Sequence, residues 1–218
     1  MKTSLASLER PDFTKIDNRA PSVAHMFLDR VAATPHAEAF RYPQDHSWES
    51  VTWQQVGERV YNIAGGLISL GIAPEDRVAL ASSTRYEWVL VDFAVMCAGA
   101  ATTTVYPTTN AGDVAYIVAN SGSRVAVAEN QTQVDKLLEH RAELPEVGKV
   151  VIIVGTSRAS VATSGAICTP ALAIARVRAG SMSKPTTRQP ALTRLWANAP
   201  PMMPSPTTPT RFAIAALR

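Results

Sequence analysis

The side chains that could carry catalysis are few and scattered in this 218-residue chain. The four histidines, His25, His36, His46 and His140, lack the spacing of metal ligands, so we expect surface or capping roles for them. Asp45 and His46 are adjacent and could act as an acid and a base, but they lie in a predicted hairpin turn, which favours a solvated turn. The sequence therefore assigns no catalytic residue and no metal ligand.

Cysteine usage and composition indicate a folded protein in a reducing compartment. Cys97 and Cys168 are too few for a disulfide framework, and the apolar run around Cys97 predicts a buried free thiol. Hydrophobic residues make up 46% of the chain and charged residues 18%, which excludes a wholly disordered protein. The N-terminus lacks the apolar core of a secretory signal, and the most apolar stretch, residues 88–101, is too short to span a membrane. We therefore expect a soluble cytoplasmic protein without a transmembrane segment.

Predicted helices and strands alternate through residues 22–155. Helices are predicted where apolar residues recur at three- or four-residue spacing, and strands where short runs are apolar or β-branched. The predicted helices are residues 22–34, 52–70, 85–98, 110–120 and 132–143, and the predicted strands are 37–42, 47–51, 77–82, 101–106, 124–128 and 149–154. This order predicts an α/β fold with crossover helices on a mostly parallel sheet.

Polar residues and glycines mark the helix ends. Thr52 with Gln55, and Thr84 with Glu87, have the spacing of capping boxes, in which each side chain satisfies a free backbone N–H. Gly65-Gly66 lies inside the second predicted helix, where each glycine costs about 1 kcal/mol relative to alanine. That cost predicts a close approach of another backbone at this pair.

Several strings in the same part of the chain resemble the adenylate-forming superfamily, and within it the long-chain fatty acid–CoA ligases. The resemblance depends on their order and spacing, because no single string is specific. The strings are Val51-Thr52-Trp53-Gln54-Gln55-Val56, Leu70-Gly71-Ile72, Asp76-Arg77-Val78-Ala79, Glu87-Trp88, Cys97-Ala98-Gly99-Ala100, Val105-Tyr106-Pro107-Thr108 and Ser121-Gly122-Ser123-Arg124-Val125. Folding alone explains most of them as caps, turns and strand ends. Residues 106–109 could also border a ligand pocket, because α/β clefts form at the carboxyl ends of parallel strands.

The resemblance implies a two-step reaction with ATP, Mg²⁺ and coenzyme A. A fatty carboxylate attacks the α-phosphate of ATP to give acyl-adenylate and pyrophosphate, and the coenzyme A thiol then displaces AMP. The family handles the phosphate charge with a loop that ends in Pro-Lys-Gly, a Thr-Glu pair near the metal, a ribose-binding aspartate and a lysine in a C-terminal lid. None of these motifs occurs in the chain, so the cofactor-binding residues stay unknown.

Two strings only partly match the phosphate loop of that family. Thr163-Ser164-Gly165 is similar to its opening, but Ala166-Ile167-Cys168 follows in place of further threonine and glycine. Ser183-Lys184-Pro185 has its lysine and proline in the wrong order. We therefore expect no cofactor to bind this chain alone.

Charge and proline change abruptly near Gly155. Residues 1–155 hold all 18 acidic residues and 13 basic ones, whereas residues 156–218 hold 8 basic residues, no acidic ones and 8 of the 15 prolines. The sequence predicts an N-terminal arm at 1–21, a partial AMP-binding domain at 22–155, and a basic Pro/Ala/Arg-rich tail at 156–218 that is disordered or frameshifted. A nucleic-acid-binding tail is disfavoured, because its basic residues are spread rather than clustered.

The resemblance implies a truncated fatty acid–CoA ligase that is inactive as this chain alone. Three alternatives stay open. The chain could be half of a split ligase that a separately encoded C-terminal fragment completes, a non-enzymatic binding or interaction module, or the product of a decayed gene.

The change at Gly155 predicts a shift of reading frame. If the tail is translated out of frame, moving one base downstream of the Gly155 codon should restore a phosphate-loop motif in the nucleotide sequence. Sequencing the locus checks this, and a locus without that motif in any frame would refute the hypothesis.

Overall fold

The computed structural model describes residues 14–44, 46–154 and 211–216, and these hold six α-helices and seven strands. The helices are α1 (Thr14–Asp17), α2 (Val23–Ala33), α3 (Trp53–Ser69), α4 (Tyr86–Cys97), α5 (Ala111–Ser121) and α6 (Gln131–Glu139). The strands are β1 (Glu38–Gln44), β2 (Ser47–Thr52), β3 (Arg77–Ala81), β4 (Ala101–Val105), β5 (Ser123–Ala128), β6 (Lys149–Val154) and β7 (Arg211–Ala216). Each element predicted within residues 22–155 is present, although the last helix ends early and a 3-10 turn at Arg141–Glu143 follows it.

The main sheet has the order β4-β3-β5-β6-β7, with the first four strands parallel and β7 antiparallel to β6. This confirms the α/β fold with a mostly parallel sheet. The strands β1 and β2 form the predicted antiparallel hairpin. After β3 the chain adds β4 on one side, and after β4 it crosses over to add β5 on the other. The carboxyl ends of β3 and β5 are therefore a topological switch point, where clefts form in sheets of this kind.

Two apolar layers cover the sheet. The helices α2, α3 and α4 pack on one face, against β3 side chains such as Val78 and Leu80. The helices α5 and α6 pack on the other face, against Ala79 and Ala81 of the same strand. All four of these side chains are buried, which explains why the strand is a continuous apolar run rather than an alternating one.

An aromatic cluster joins the hairpin to the helical layer. Tyr42 of β1 stacks on Tyr86 of α4 with ring centroids 4.4 Å apart. Phe40 lies between Trp53 and Tyr86, at 5.9 and 5.8 Å. Arg59 of α3 donates a 2.9 Å hydrogen bond to the Tyr86 hydroxyl and also hydrogen-bonds Tyr42 of β1, so ring contacts and a polar contact both join the hairpin to the helices.

One of the two predicted capping boxes is present and the other is wrong. Thr52 and Gln55 make both hydrogen bonds, with Gln55 N–H donating to Thr52 Oγ1 and Thr52 N–H donating to Gln55 Oε1. Thr84 does not cap α4, because the helix begins one residue later with Arg85 at the N-cap position. Glu87 accepts a 2.6 Å hydrogen bond from Arg85 Nε instead, since a charged donor is a stronger partner than a backbone amide.

Glycines play different parts along α3. Gly71 ends the helix in a left-handed conformation, with φ of 95°, while Ile72 N–H donates to the Leu67 carbonyl. The predicted close approach at Gly65-Gly66 is wrong for Gly66, because a Cβ there would meet no atom within 4 Å. The close approach lies at Gly57, where a Cβ would lie 2.9 Å from Cγ1 of Val31 in α2.

Cys97 is a buried thiol, as predicted. Its side chain lies in the core with 3% of the residue exposed, and burial raises the pKa of the thiol to about 11. No helix in the described ranges is both long enough and apolar enough to cross a membrane.

Only residues 211–216 of the predicted tail belong to the described part of the chain, and they form β7. Arg211–Ala216 pairs in register with β6 over all six residues, from Arg211 opposite Val154 to Ala216 opposite Lys149. The segment lacks proline and is apolar after Arg211, so it can add to the free edge of β6. The strings Thr163-Ser164-Gly165 and Ser183-Lys184-Pro185, together with Cys168 and Asp45, lie outside the described residues.

Two glycine-to-alanine changes in α3 should have opposite effects. Gly57→Ala should lower the free energy of unfolding by about 1–2 kcal/mol, because β-branched Val31 has to move away. Gly66→Ala should raise it by about 0.5–1 kcal/mol, because helix propensity improves in open space. Urea unfolding of both variants measures this difference, and equal shifts in the two variants would contradict the assigned packing of α2 on α3.

Candidate functional site

The switch point between β3 and β5 holds a network of charged and hydroxyl side chains. Ser83 follows β3, and Glu129 follows β5 directly. Glu129 N–H donates to the carbonyl of Ala81 at 2.9 Å, which places the carboxylate beside the end of β3. The parallel pairing of the two strands therefore brings together residues that are 46 positions apart.

The Glu129 carboxylate is the centre of this network. Its Oε2 accepts a 2.8 Å hydrogen bond from Ser83 N–H, and the Ser83 hydroxyl lies 2.9 Å from both carboxylate oxygens. Arg85 Nη1 donates to Oε1 at 3.3 Å. Partial burial alone would raise the pKa of Glu129, but the hydrogen bonds from Ser83 and the charge of Arg85 outweigh it, so the pKa lies below its usual value.

Arg85 links two carboxylates. Its Nε bonds Glu87 at 2.6 Å and its Nη1 bonds Glu129, with the arginine side chain one-third exposed and both acids less than one-fifth exposed. The hydrogen bond to Glu87 is the largest influence on the guanidinium and raises its pKa, while burial opposes it. The network thus holds one cation between two anions.

The network of Ser83, Arg85, Glu87 and Glu129 links the ends of β3 and β5 and leaves no unpaired group to react with a substrate. The only described cation in it is already paired, and an additional anion such as a phosphate would meet two carboxylates. Within the described ranges no three His, Cys, Asp or Glu side chains come together to hold a metal ion. These residues do not fit ATP with Mg²⁺, whose binding requires unpaired donors and free carboxylates.

The loop after β4 is held from α6. Lys136 Nζ donates to the carbonyls of Pro107 and Thr109, at 2.6 and 2.7 Å, and Gln133 Nε2 donates to Pro107 at 3.2 Å. Tyr106 at the start of this loop is 75% exposed. The suggestion that residues 106–109 border a ligand pocket stays a prediction.

Two of the four histidines, His25 and His140, make local side-chain contacts. His25 Nδ1 lies 2.8 Å from the Ser22 hydroxyl at the start of α2, and His140 Nδ1 lies 2.8 Å from Glu143 Oε1. The hydrogen bond to Glu143 raises the pKa of His140. His36 and His46 are exposed. Among the described residues, no two of the four histidines come together with acids or cysteines in a cluster that could hold a metal ion.

Sequence reasoning missed both the Glu129 network and the Lys136 contacts. A usable signal existed for the first, since Glu129 ends the apolar run Val125–Ala128 and Ser83 follows that of β3. It required knowing that these two strands are neighbours. Lys136 gave no signal, because its partners are backbone carbonyls 27 and 29 positions earlier in the chain.

Replacing Glu129 by glutamine should destabilise the fold at neutral pH and much less in acid. Because the folded-state pKa is lowered, the carboxylate stabilises the chain above its unfolded-state pKa near 4.3, and this contribution is lost as pH falls through the folded-state value. We expect Glu129→Gln to lower the free energy of unfolding by about 1–3 kcal/mol at pH 7 and by clearly less near pH 3.

Urea unfolding at the two pH values measures this dependence. Glu146→Gln, a change of an exposed carboxylate, is the matched control and should leave stability nearly unchanged. An equal loss for Glu129→Gln at both pH values would show that its charge is not what stabilises the network.

Comparisons with known proteins match this chain to one family. Residues 27–193 match the AMP-binding enzyme family, a range that extends past the change in composition near Gly155. Long-chain-fatty-acid–CoA ligase FadD15 of Mycobacterium bovis is 31% identical over 169 residues, which are 76% of this chain and 28% of that protein. Uncharacterized protein Rv1549 of Mycobacterium tuberculosis is 28% identical over 130 residues, 60% of this chain and 68% of that protein.

A solved structure shows the same fold. A fatty acyl CoA synthetase of Mycobacterium tuberculosis superposes with a TM-score of 0.52 at 24% identity, over 61% of this chain and 26% of that one. The chain thus spans less than a third of the ligases that it matches. It belongs to the AMP-binding enzyme family and corresponds to the N-terminal part of the long-chain fatty acid–CoA ligases.

Proposed function

We propose that this chain supplies the N-terminal scaffold of a long-chain fatty acid–CoA ligase and does not activate a fatty acid by itself. The observation that carries the proposal is the family match over residues 27–193, combined with a switch point whose charges are paired internally. An N-terminal scaffold segment of an adenylate-forming enzyme is present, whereas the groups that would stabilise phosphate charge are not among the described side chains.

In the reaction of the full-length family, segments outside the described scaffold bind and activate ATP. ATP supplies the adenylyl group that activates the carboxylate while pyrophosphate leaves, and the transition state needs positive charge and N–H donors around the phosphates. The 218 residues contain no Pro-Lys-Gly string that could close a phosphate loop of this family. We propose that ATP, Mg²⁺, coenzyme A and the fatty acid bind in the cytoplasm only when the rest of such an enzyme is present.

A split ligase is the second candidate, and one comparison favours it. The 130 residues that align with Rv1549 are 68% of that protein, whereas the residues that align with FadD15 are 28% of that ligase, so a relative of this chain is much shorter than the ligases. In this version a separate polypeptide supplies the catalytic segments and the present chain supplies the scaffold.

Two evolutionary histories of residues 156–218 are compatible with the composition of the tail. A frameshift near Gly155 would explain the loss of acidic residues, whereas the family match through residue 193 favours a tail that is still related to the family. The nucleotide sequence distinguishes these histories, and either is compatible with a scaffold that is inactive alone.

Purified chain mixed with ATP, Mg²⁺ and palmitate should release no pyrophosphate above the blank. A full-length FadD15 ligase under the same conditions is the positive control. Turnover by the chain alone would overturn the proposal.

A thermal melt with added ligands distinguishes a scaffold that is inactive alone from a module that binds ligands by itself. For a scaffold that is inactive alone, neither ATP nor palmitoyl-CoA should raise the melting temperature of the chain. A saturable rise of several degrees with either ligand would favour the binding module instead, because a ligand that binds only the folded state stabilises it.

A further inference from the structure

One edge of the main sheet has no partner among the described strands. At the other end of the sheet β7 covers β6, but β4 pairs only with β3 within the described ranges. A strand in this position presents a row of backbone N–H and C=O groups that another strand can bind.

The sequence of β4 does not protect this edge. Ala101–Val105 reads Ala-Thr-Thr-Thr-Val, with no charge and no proline, and its pairing with β3 runs without a bulge. Natural edges that must stay unpaired usually carry lysine, proline or a bulge. Three consecutive threonines are instead well suited to cross-strand pairing.

Exposed side chains at and beside this strand also suit contact with another protein. Tyr106, directly after the strand, exposes 75% of its surface, and tyrosine is enriched where proteins bind one another. Ala101 and Thr104 are exposed on the strand itself.

We propose that the β4 edge docks a β-strand from the remaining part of a fatty acid–CoA ligase, delivered by a second polypeptide. The inference rests on the proposed function and names the surface that its split form would use. The chain covers 28% of the FadD15 ligase, so more than two thirds of such an enzyme has to pack around this part. The edge of β6 is already paired with β7, and the charges at the switch point are paired, which leaves β4 as the unpaired edge among the described strands.

Co-expression tests the surface directly. The full 218-residue chain is produced with the segment of the FadD15 ligase that follows its matched region, and the complex is captured through a tag on the chain. Thr104→Lys places a charge on the exposed edge and should lower capture about tenfold. Thr132→Lys, the same change at an exposed position of α6, is the matched control and should bind like the wild type.

Hydrogen exchange gives a second measurement that requires no variant. The backbone amides of β4 should become protected in the complex, while those of β3 stay protected with or without it. Unchanged exchange at β4, capture by Thr104→Lys equal to that by Thr132→Lys, or no capture by the wild type would each overturn the proposal. A concentration-dependent dimer of the chain alone that Thr104→Lys disrupts would also overturn it, since the occupant would then be a second copy.

Activity of the complex separates this proposal from the proposed function. A complex that depends on the β4 edge but releases no pyrophosphate would support the docking surface and contradict the ligase scaffold. Pyrophosphate release that is equal with wild-type and Thr104→Lys chains would support the scaffold and overturn the docking surface.

Discussion

The burial of β3 on both faces is the constraint on which the rest of the structure depends. Its side chains alternate between the layer of α2, α3 and α4 and the layer of α5 and α6, and it pairs with β4 on one side and β5 on the other. A strand in this position cannot shift by one residue without exchanging its two faces. Its carboxyl end, and therefore Ser83, is fixed beside Glu129 of the neighbouring strand end.

The fixed strand ends explain why the charged side chains at the switch point bind one another and are not free to bind a ligand. Glu129 accepts hydrogen bonds from Ser83 and Arg85, and Arg85 also binds Glu87, so the charges satisfy one another in a partly buried setting. Breaking one partner would leave another charge poorly solvated, which makes such networks stabilise a single arrangement. Sheets of this topology often place ligands at this point, but the chemistry of a site belongs to its residues and not to its fold.

Most of the fold could be predicted from the sequence, because local patterns specify it. The apolar runs of β3 and β5, the capping box at Thr52 and the glycine after α3 each act within a few residues. The failures depend on contacts between distant segments. Thr84 does not cap α4, because Arg85 takes the N-cap position and pairs with Glu87. The close glycine contact in α3 lies at Gly57, against Val31 of another helix. The strand β7 forms by pairing with the edge of β6, which is distant in the sequence. The Glu129 network could not be predicted without the strand order, for the same reason.

We propose that the chain folds as a ligase scaffold but lacks the groups that bind ATP, and equilibrium binding of Mg²⁺–ATP to the purified chain measures this without requiring turnover. Ligases of ordinary affinity saturate at or below about 1 mM substrate. We expect no saturable heat in a calorimetric titration to that concentration, while a cooperative urea transition shows that the same sample is folded. Saturable binding of one nucleotide per folded chain would contradict it.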